Sequence, residues 1–170
     1  MSYRRASEQD VERLVQIVDN AKEYMKQCGF EQWDNNYPTM EHIMQDIQRQ
    51  ECYVWEEDGI ILGMATLCLE PEQIYEQIRT WKTRKPYGTI HRFAVAKEAR
   101  GTMVANQLFI ACEEICRRAS GKGMRIDTHE QNKTMQAFLN KHEYEQCGIV
   151  YYGERNEDSK RITYEKVFNC

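Results

Sequence analysis

The chain has 170 residues, 41% hydrophobic and 29% charged, enough for a single domain spanning residues 1–170 with a real core and no staples. A formal net charge of −4 provides no clustered cationic surface, so no nucleic-acid partner is expected. No apolar run approaches the roughly 18 residues of a membrane span, and MSYRRASEQD has no apolar signal core, so no membrane association and a cytoplasmic location are expected.

Tyr3 to Ala6 reads as a short strand, and Ser7 with Asp10 as a capping arrangement for the helix that follows. In that helix Val11, Leu14, Val15, Val18, Ala21 and Met25 form one apolar face, and Gly29 ends it. Thr39 caps a second helix carrying Met40, Ile43 and Ile47. Cys52 to Glu56 and Ile60 to Leu69 read as strands joined by Asp58-Gly59, a strong hairpin signal. Residues 70–87 read as a long irregular connection of the kind that often serves function.

Thr89 to Val95 is the next strand, and Thr102 to Ser120 a long helix with Ala105, Leu108, Phe109, Cys112, Ile115 and Cys116 on its buried side. Seven cysteines without a C-x-x-C pair, two of them four apart on this helix, predict buried thiols in a reducing compartment and no metal site. Met124 to Thr128 is a strand and Asn132 to His142 a helix. Gln146 to Tyr152 and Ile162 to Phe168 close the chain as an antiparallel pair. The order β-α-α-β-β-β-α-β-α-β-β predicts a mixed α/β fold with the fourth and fifth strands parallel across a helical crossover.

The stretch from Ile90 to Ala105 carries the chemistry. An apolar strand runs through a loop containing Arg100-Gly101 and opens directly into a helix. Unpaired main-chain N–H groups at a helix start, with the helix dipole, favour phosphate; the alternative is an ordinary strand-loop-helix turn. The P-loop pattern is absent.

This stretch resembles the acetyl-CoA motif of the GNAT superfamily, [QR]-x-x-G-x-[GA] after a strand ending in hydrophobic-Ala-Val. Met124-Arg125-Ile126-Asp127-Thr128, Asn132-Lys133-Thr134-Met135 and Lys141-His142-Glu143-Tyr144 follow at family-like distance. Gln32-Trp33, Tyr37-Pro38, Trp81 and Tyr87-Gly88 resemble a bacterial subgroup of undefined substrate. The resemblance implies the GNAT fold: a mixed, mostly antiparallel central sheet, splayed parallel strands 4 and 5, and helices on both faces. It implies an N-acetyltransferase that moves an acetyl group directly from acetyl-CoA to a primary amine of a small molecule or peptide. The alternative is a degenerate GNAT-fold protein that binds CoA, or a partner, without turnover.

By the same resemblance, Phe93, Ala94 and Val95 would meet the pantetheine arm. Arg100, Gly101, Thr102, Met103, Val104 and Ala105 would cradle the pyrophosphate, and Asn132 would contact the arm. His91 is the candidate general base, since a neutral amine must be generated near the thioester; a hydrogen-bonded interior residue is the alternative. Trp33, Tyr37 and Trp81 are candidate acceptor walls and Glu70 a candidate ammonium partner, with packing roles the alternative. The chain departs from the motif at Glu98 and Met103. It has Leu139 where many members carry a catalytic tyrosine, and Glu143 where Gly is common. The sheet edges and helix faces also leave room for a homodimer.

Overall fold

The computed structural model describes residues 2–169. In chain order the elements are β1 (Ser2–Arg5), α1 (Val11–Gln27), α2 (Met40–Gln48), β2 (Cys52–Glu57), β3 (Ile60–Cys68), β4 (Gly88–Val95), α3 (Val104–Arg118), β5 (Gly123–Thr128), α4 (Lys133–Lys141), β6 (Glu145–Tyr151) and β7 (Lys160–Val167). The order is the expected one, with ends shifted by a residue or two.

The strands form a mixed sheet with neighbours in the order β1-β2-β3-β4-β5-β7-β6. β4 and β5 run parallel, pairing Gly88 with Met124 and Thr89 with Arg125. The β1–β2, β2–β3, β5–β7 and β6–β7 pairs are antiparallel. The chain divides into two compact units, Met1–Leu67 with Ile90–Glu114 and Cys68–Thr89 with Ile115–Cys170.

In the first unit α1 buries Val11, Leu14, Ile17, Val18 and Met25 at helical spacing. Ile17 is fully enclosed, whereas Val15, assigned to that face from the sequence, is half-buried. At the start of this unit the Asp10 carboxylate accepts the Ser7 N–H at 2.7 Å, as the capping pattern predicted. It also pairs with Arg4, whose guanidinium reaches Glu56 on β2. Asp58 and Gly59 both have positive φ, the conformation a two-residue hairpin turn demands.

α2 and α3 lie on opposite faces of β3. The Thr66 hydroxyl donates to Asp46 of α2 at 2.8 Å. Three residues earlier, on the other face, a Cβ at Gly63 would stand 3.3 Å from Leu108 and Val104 of α3. Glycine at this position therefore lets α3 sit close on the strand.

In the second unit the segment between β3 and β4 is anchored rather than irregular. It contains a 3-10 turn, Gln73–Gln77, that buries Tyr75 against Tyr87 and Val150. The Arg125 guanidinium of β5 is buried against the rings of Trp81 and Tyr87, at 4.5 and 4.0 Å. It donates to the Thr83 carbonyl and hydroxyl at 2.6 and 2.8 Å. Glu165 of β7 accepts the N–H groups of Lys82 and Thr83 at 2.9 and 2.8 Å. These contacts satisfy main-chain groups that strand pairing leaves open, which is why a segment without regular strands can pack.

Candidate functional site

The strand-loop-helix stretch lies in the first unit. β4 ends at Val95, and the buried Ala96 donates its N–H to the Leu62 carbonyl at 2.8 Å. A single 3-10 turn, Lys97–Ala99, follows, and the chain reverses at Gly101 with φ +77°. That φ favours glycine, and a Cβ there would meet no protein atom within 4 Å. Gly101 is exposed, and the space beside it is open. Thr102 donates its hydroxyl to the Ala99 carbonyl at 2.6 Å and accepts the Val104 N–H at 3.3 Å. α3 then begins at Val104. Met103 is 61% exposed, with the Asn106 amide 3.7 Å from its sulfur. Its side chain therefore lies outside the packed core, over the first turn of α3.

α1 clamps this loop. Arg100 donates to the Asn20 carbonyl at 2.9 Å and stacks its guanidinium 4.6 Å from the Tyr24 ring. Arg13 donates to the Ile61 carbonyl at 3.0 Å and pairs with Glu98. Hydrogen bonding from its own main chain, then from Arg13, holds the Glu98 carboxyl below the ordinary carboxylate value. The acidic departure from the motif is thus matched by a cation brought from α1. No sequence signal marks Arg13 for this, because its partner is 85 positions away.

On β4, His91, Phe93 and Val95 are half-buried and Ala94 is buried. Phe93 sets its ring edge against Phe109 of α3, 5.6 Å between centroids. Arg92 turns toward α2 instead. Its Nε and Nη2 donate to the two carboxylate oxygens of Asp46 at 2.5 and 2.7 Å, and its Nη1 donates to the Tyr37 hydroxyl at 2.6 Å. Burial pushes the Arg92 guanidinium pKa down, but its bonds to Asp46 and Tyr37, with the Asp46 charge, outweigh it and the net direction is up. Sequence reading singled out neither Asp46 nor Arg92, which this ion pair brings together.

The candidate acceptor residues fall in different surroundings. Tyr37 is half-buried, with its ring edge-on to His42 at 5.0 Å and its hydroxyl on Arg92. Trp33 is buried at 7% exposure and packs inside the first unit. In the second unit the Trp81 indole donates to the Tyr75 carbonyl at 2.8 Å, while Glu70 is exposed after β3.

Also in the second unit, Asn132 caps α4, its side-chain oxygen accepting the Met135 N–H at 3.1 Å. Leu139 is fully buried. His129 is buried at 8% exposure, its Nδ1 accepting the Gln131 N–H at 3.1 Å. Burial, then the Arg161 charge, lowers its pKa. Among the described residues no cluster of three or more His, Cys, Asp or Glu could hold a metal ion, and no helix is long and apolar enough to cross a membrane.

The model of the acetyltransferase (GNAT) family matches residues 18–144. The S-(2-succino)cysteine N-acetyltransferase of Bacillus subtilis is 27% identical over 166 residues, covering 95% of this chain and 91% of that protein. The crystal structure of a GNAT-family acetyltransferase from Streptococcus agalactiae superposes with a TM-score of 0.85 at 28% identity, covering 99% of this chain and 96% of that one. A putative acetyltransferase structure from Staphylococcus aureus, at 23% identity and TM-score 0.75, covers 98% of this chain and 99% of that one and shares the fold. The family match takes in most of the chain, including all of β4, the Gly101 loop and α3, and the protein belongs to the GNAT family of N-acetyltransferases.

Proposed function

We propose that this chain acts as one transferase domain that moves an acetyl group from acetyl-CoA directly to the primary amine of a small molecule or peptide. The observation that carries the reading is Gly101: a left-handed glycine with open space beside it, immediately before the helix start of α3. Main-chain N–H groups at such a turn and helix start suit a pyrophosphate, Arg100 adds positive charge to the loop, and Arg13 offsets the charge of Glu98. Gly101 to Ala105 would hold the phosphates, and Phe93 to Val95 would run beside the pantetheine arm. Bound acetyl-CoA supplies an activated acetyl thioester.

His91 would take the proton that the acceptor ammonium must lose before attack, with water relaying it where needed. Leu139, fully buried, supplies no proton donor. Amino-acid amines are the first acceptors to screen, because the Bacillus subtilis relative is named for a cysteine derivative. The described cysteines are free thiols, in keeping with a reducing cytoplasm.

Calorimetric titration with acetyl-CoA, beside a Met103→Gly variant, tests the reading. Micromolar binding followed by amine-dependent thiol release, lost in His91→Ala, is the expected result. Binding without thiol release across amino acids, polyamines and peptides would favour a CoA-binding protein without turnover, the reading to which buried Leu139 lends weight. No heat from either protein would sink the acetyl-CoA site.

A further inference from the structure

Arg92 stands apart among the non-glycine residues with positive φ. Gln50, Ser120 and Glu143 follow helix ends and Asp58 sits in a hairpin turn, whereas Arg92, at φ +47°, lies inside a strand. A left-handed residue within a strand interrupts pairing and re-aims the main chain on either side, and it persists only when its surroundings over-determine it. Here they do. Three of the guanidinium N–H groups are fixed, two by the Asp46 carboxylate and one by the Tyr37 hydroxyl. Asp46 is in turn 2% exposed and held by the Thr66 hydroxyl. The pair is therefore anchored both to α2 and to β3.

We propose that Asp46 and Arg92 are a positioning pair: they hold β4 in its left-handed turn at residue 92 and so aim the main chain of Phe93 to Val95 at the cofactor arm. The inference rests on the acetyl-CoA reading above. Neither side chain has to touch the cofactor. What matters is the backbone conformation that the ion pair imposes, at a position where an arginine would otherwise prefer extended backbone.

The role can be separated from the ion pair itself. Asp46→Asn removes the buried carboxylate charge, and in that background Arg92 is replaced by Gly, Asn or Ala. All three delete the guanidinium, but they differ in their ease at positive φ: Gly most, Asn next, Ala least. Acetyl-CoA affinity is measured by calorimetry below the melting midpoint of every variant. The expected order is Gly tightest, Asn intermediate and Ala weakest, with about 10-fold between the extremes, the size of effect a left-handed penalty produces.

Should the Ala variant fail to fold, the Gly and Asn variants carry the comparison. Affinities of the folded variants, Asn and Ala included, equal to that of the native protein would overturn the positioning role, because a purely structural pair moves the melting midpoint alone. Absence of binding by the native protein would instead bring down the acetyl-CoA reading, and this inference with it.

Discussion

The carboxylate of Asp46 receives both Nε and Nη2 of Arg92, at 2.5 and 2.7 Å, from a site only 2% exposed. An ion pair this deep offsets its own desolvation only while both partners are present, so removing one leaves an uncompensated charge. Asp46→Ala should lower unfolding free energy by about 3–5 kcal/mol, read from urea denaturation. Thr66→Val, which removes only a neutral donor to the same carboxylate, should cost about 1–2 kcal/mol. Equal costs for the two would mean the ion pair contributes nothing beyond an ordinary hydrogen bond.

Glu143 closes α4 in a conformation suited to glycine. Its φ is +64°, its N–H reaches the Asn140 carbonyl, and the Tyr144 N–H reaches the Leu139 carbonyl. This is a Schellman ending with a charged residue at its left-handed position. The side chain is exposed, so little packing opposes its removal. Glu143→Gly should raise stability by about 0.5–1 kcal/mol, the left-handed penalty less the added chain entropy of glycine. A lower urea midpoint would show that the glutamate makes a contact worth more than its strain.

The sequence reveals what repeats locally. The apolar spacing of α1 and α3, the Asp58-Gly59 turn and the Arg100-Gly101 loop before α3 all lie in the sequence beside the residues they govern, and these elements are found where they were read, although Val15, Ala21, Ala105 and Ile115 on the apolar faces are only half-buried. Partners far apart in the chain leave no such trace. Arg92 and Asp46 are 46 residues apart, and Arg125 meets Thr83 across 42. Trp33 and Tyr37 looked alike as aromatic acceptor walls, but burial separates them: one ring is enclosed, while the other keeps a half-buried ring and a hydroxyl on Arg92. The connection at 70–87 read as loose because its order comes from Tyr75 burial and from Glu165 on β7, neither of which has a periodic signature.

Asp10 should make stability fall in acid. Hydrogen bonds from Arg4 foremost, with Ser7 adding to them against the cost of burial, bring its carboxyl pKa down to about 2 from the ordinary 3.8. A depressed carboxyl pKa stabilises the fold fully above the unfolded value and loses that contribution as pH falls through 3.8 toward 2. Asp10→Asn should therefore cost about 1–2 kcal/mol at neutral pH, discounted from the full linkage value because Arg4 is 39% exposed. Denaturation midpoints of the two proteins should converge between pH 4 and about 2. A difference independent of pH would assign the loss to the cap alone.

Gly101 separates the needs of the fold from those of the ligand. A Cβ at this position clashes with nothing, so Gly101→Ala introduces only the left-handed penalty of φ +77°. That penalty should lower stability by about 1–2 kcal/mol. The added methyl also projects into the open space beside the turn, where the proposed phosphates would lie, so acetyl-CoA affinity should fall by about 10-fold or more. Met103→Ala alters a side chain that is 61% exposed and should leave stability within about 0.5 kcal/mol. Parallel melts and calorimetric titrations of the two variants check both statements. A Gly101→Ala protein that loses stability yet binds acetyl-CoA as the native protein does would place the phosphates away from this turn.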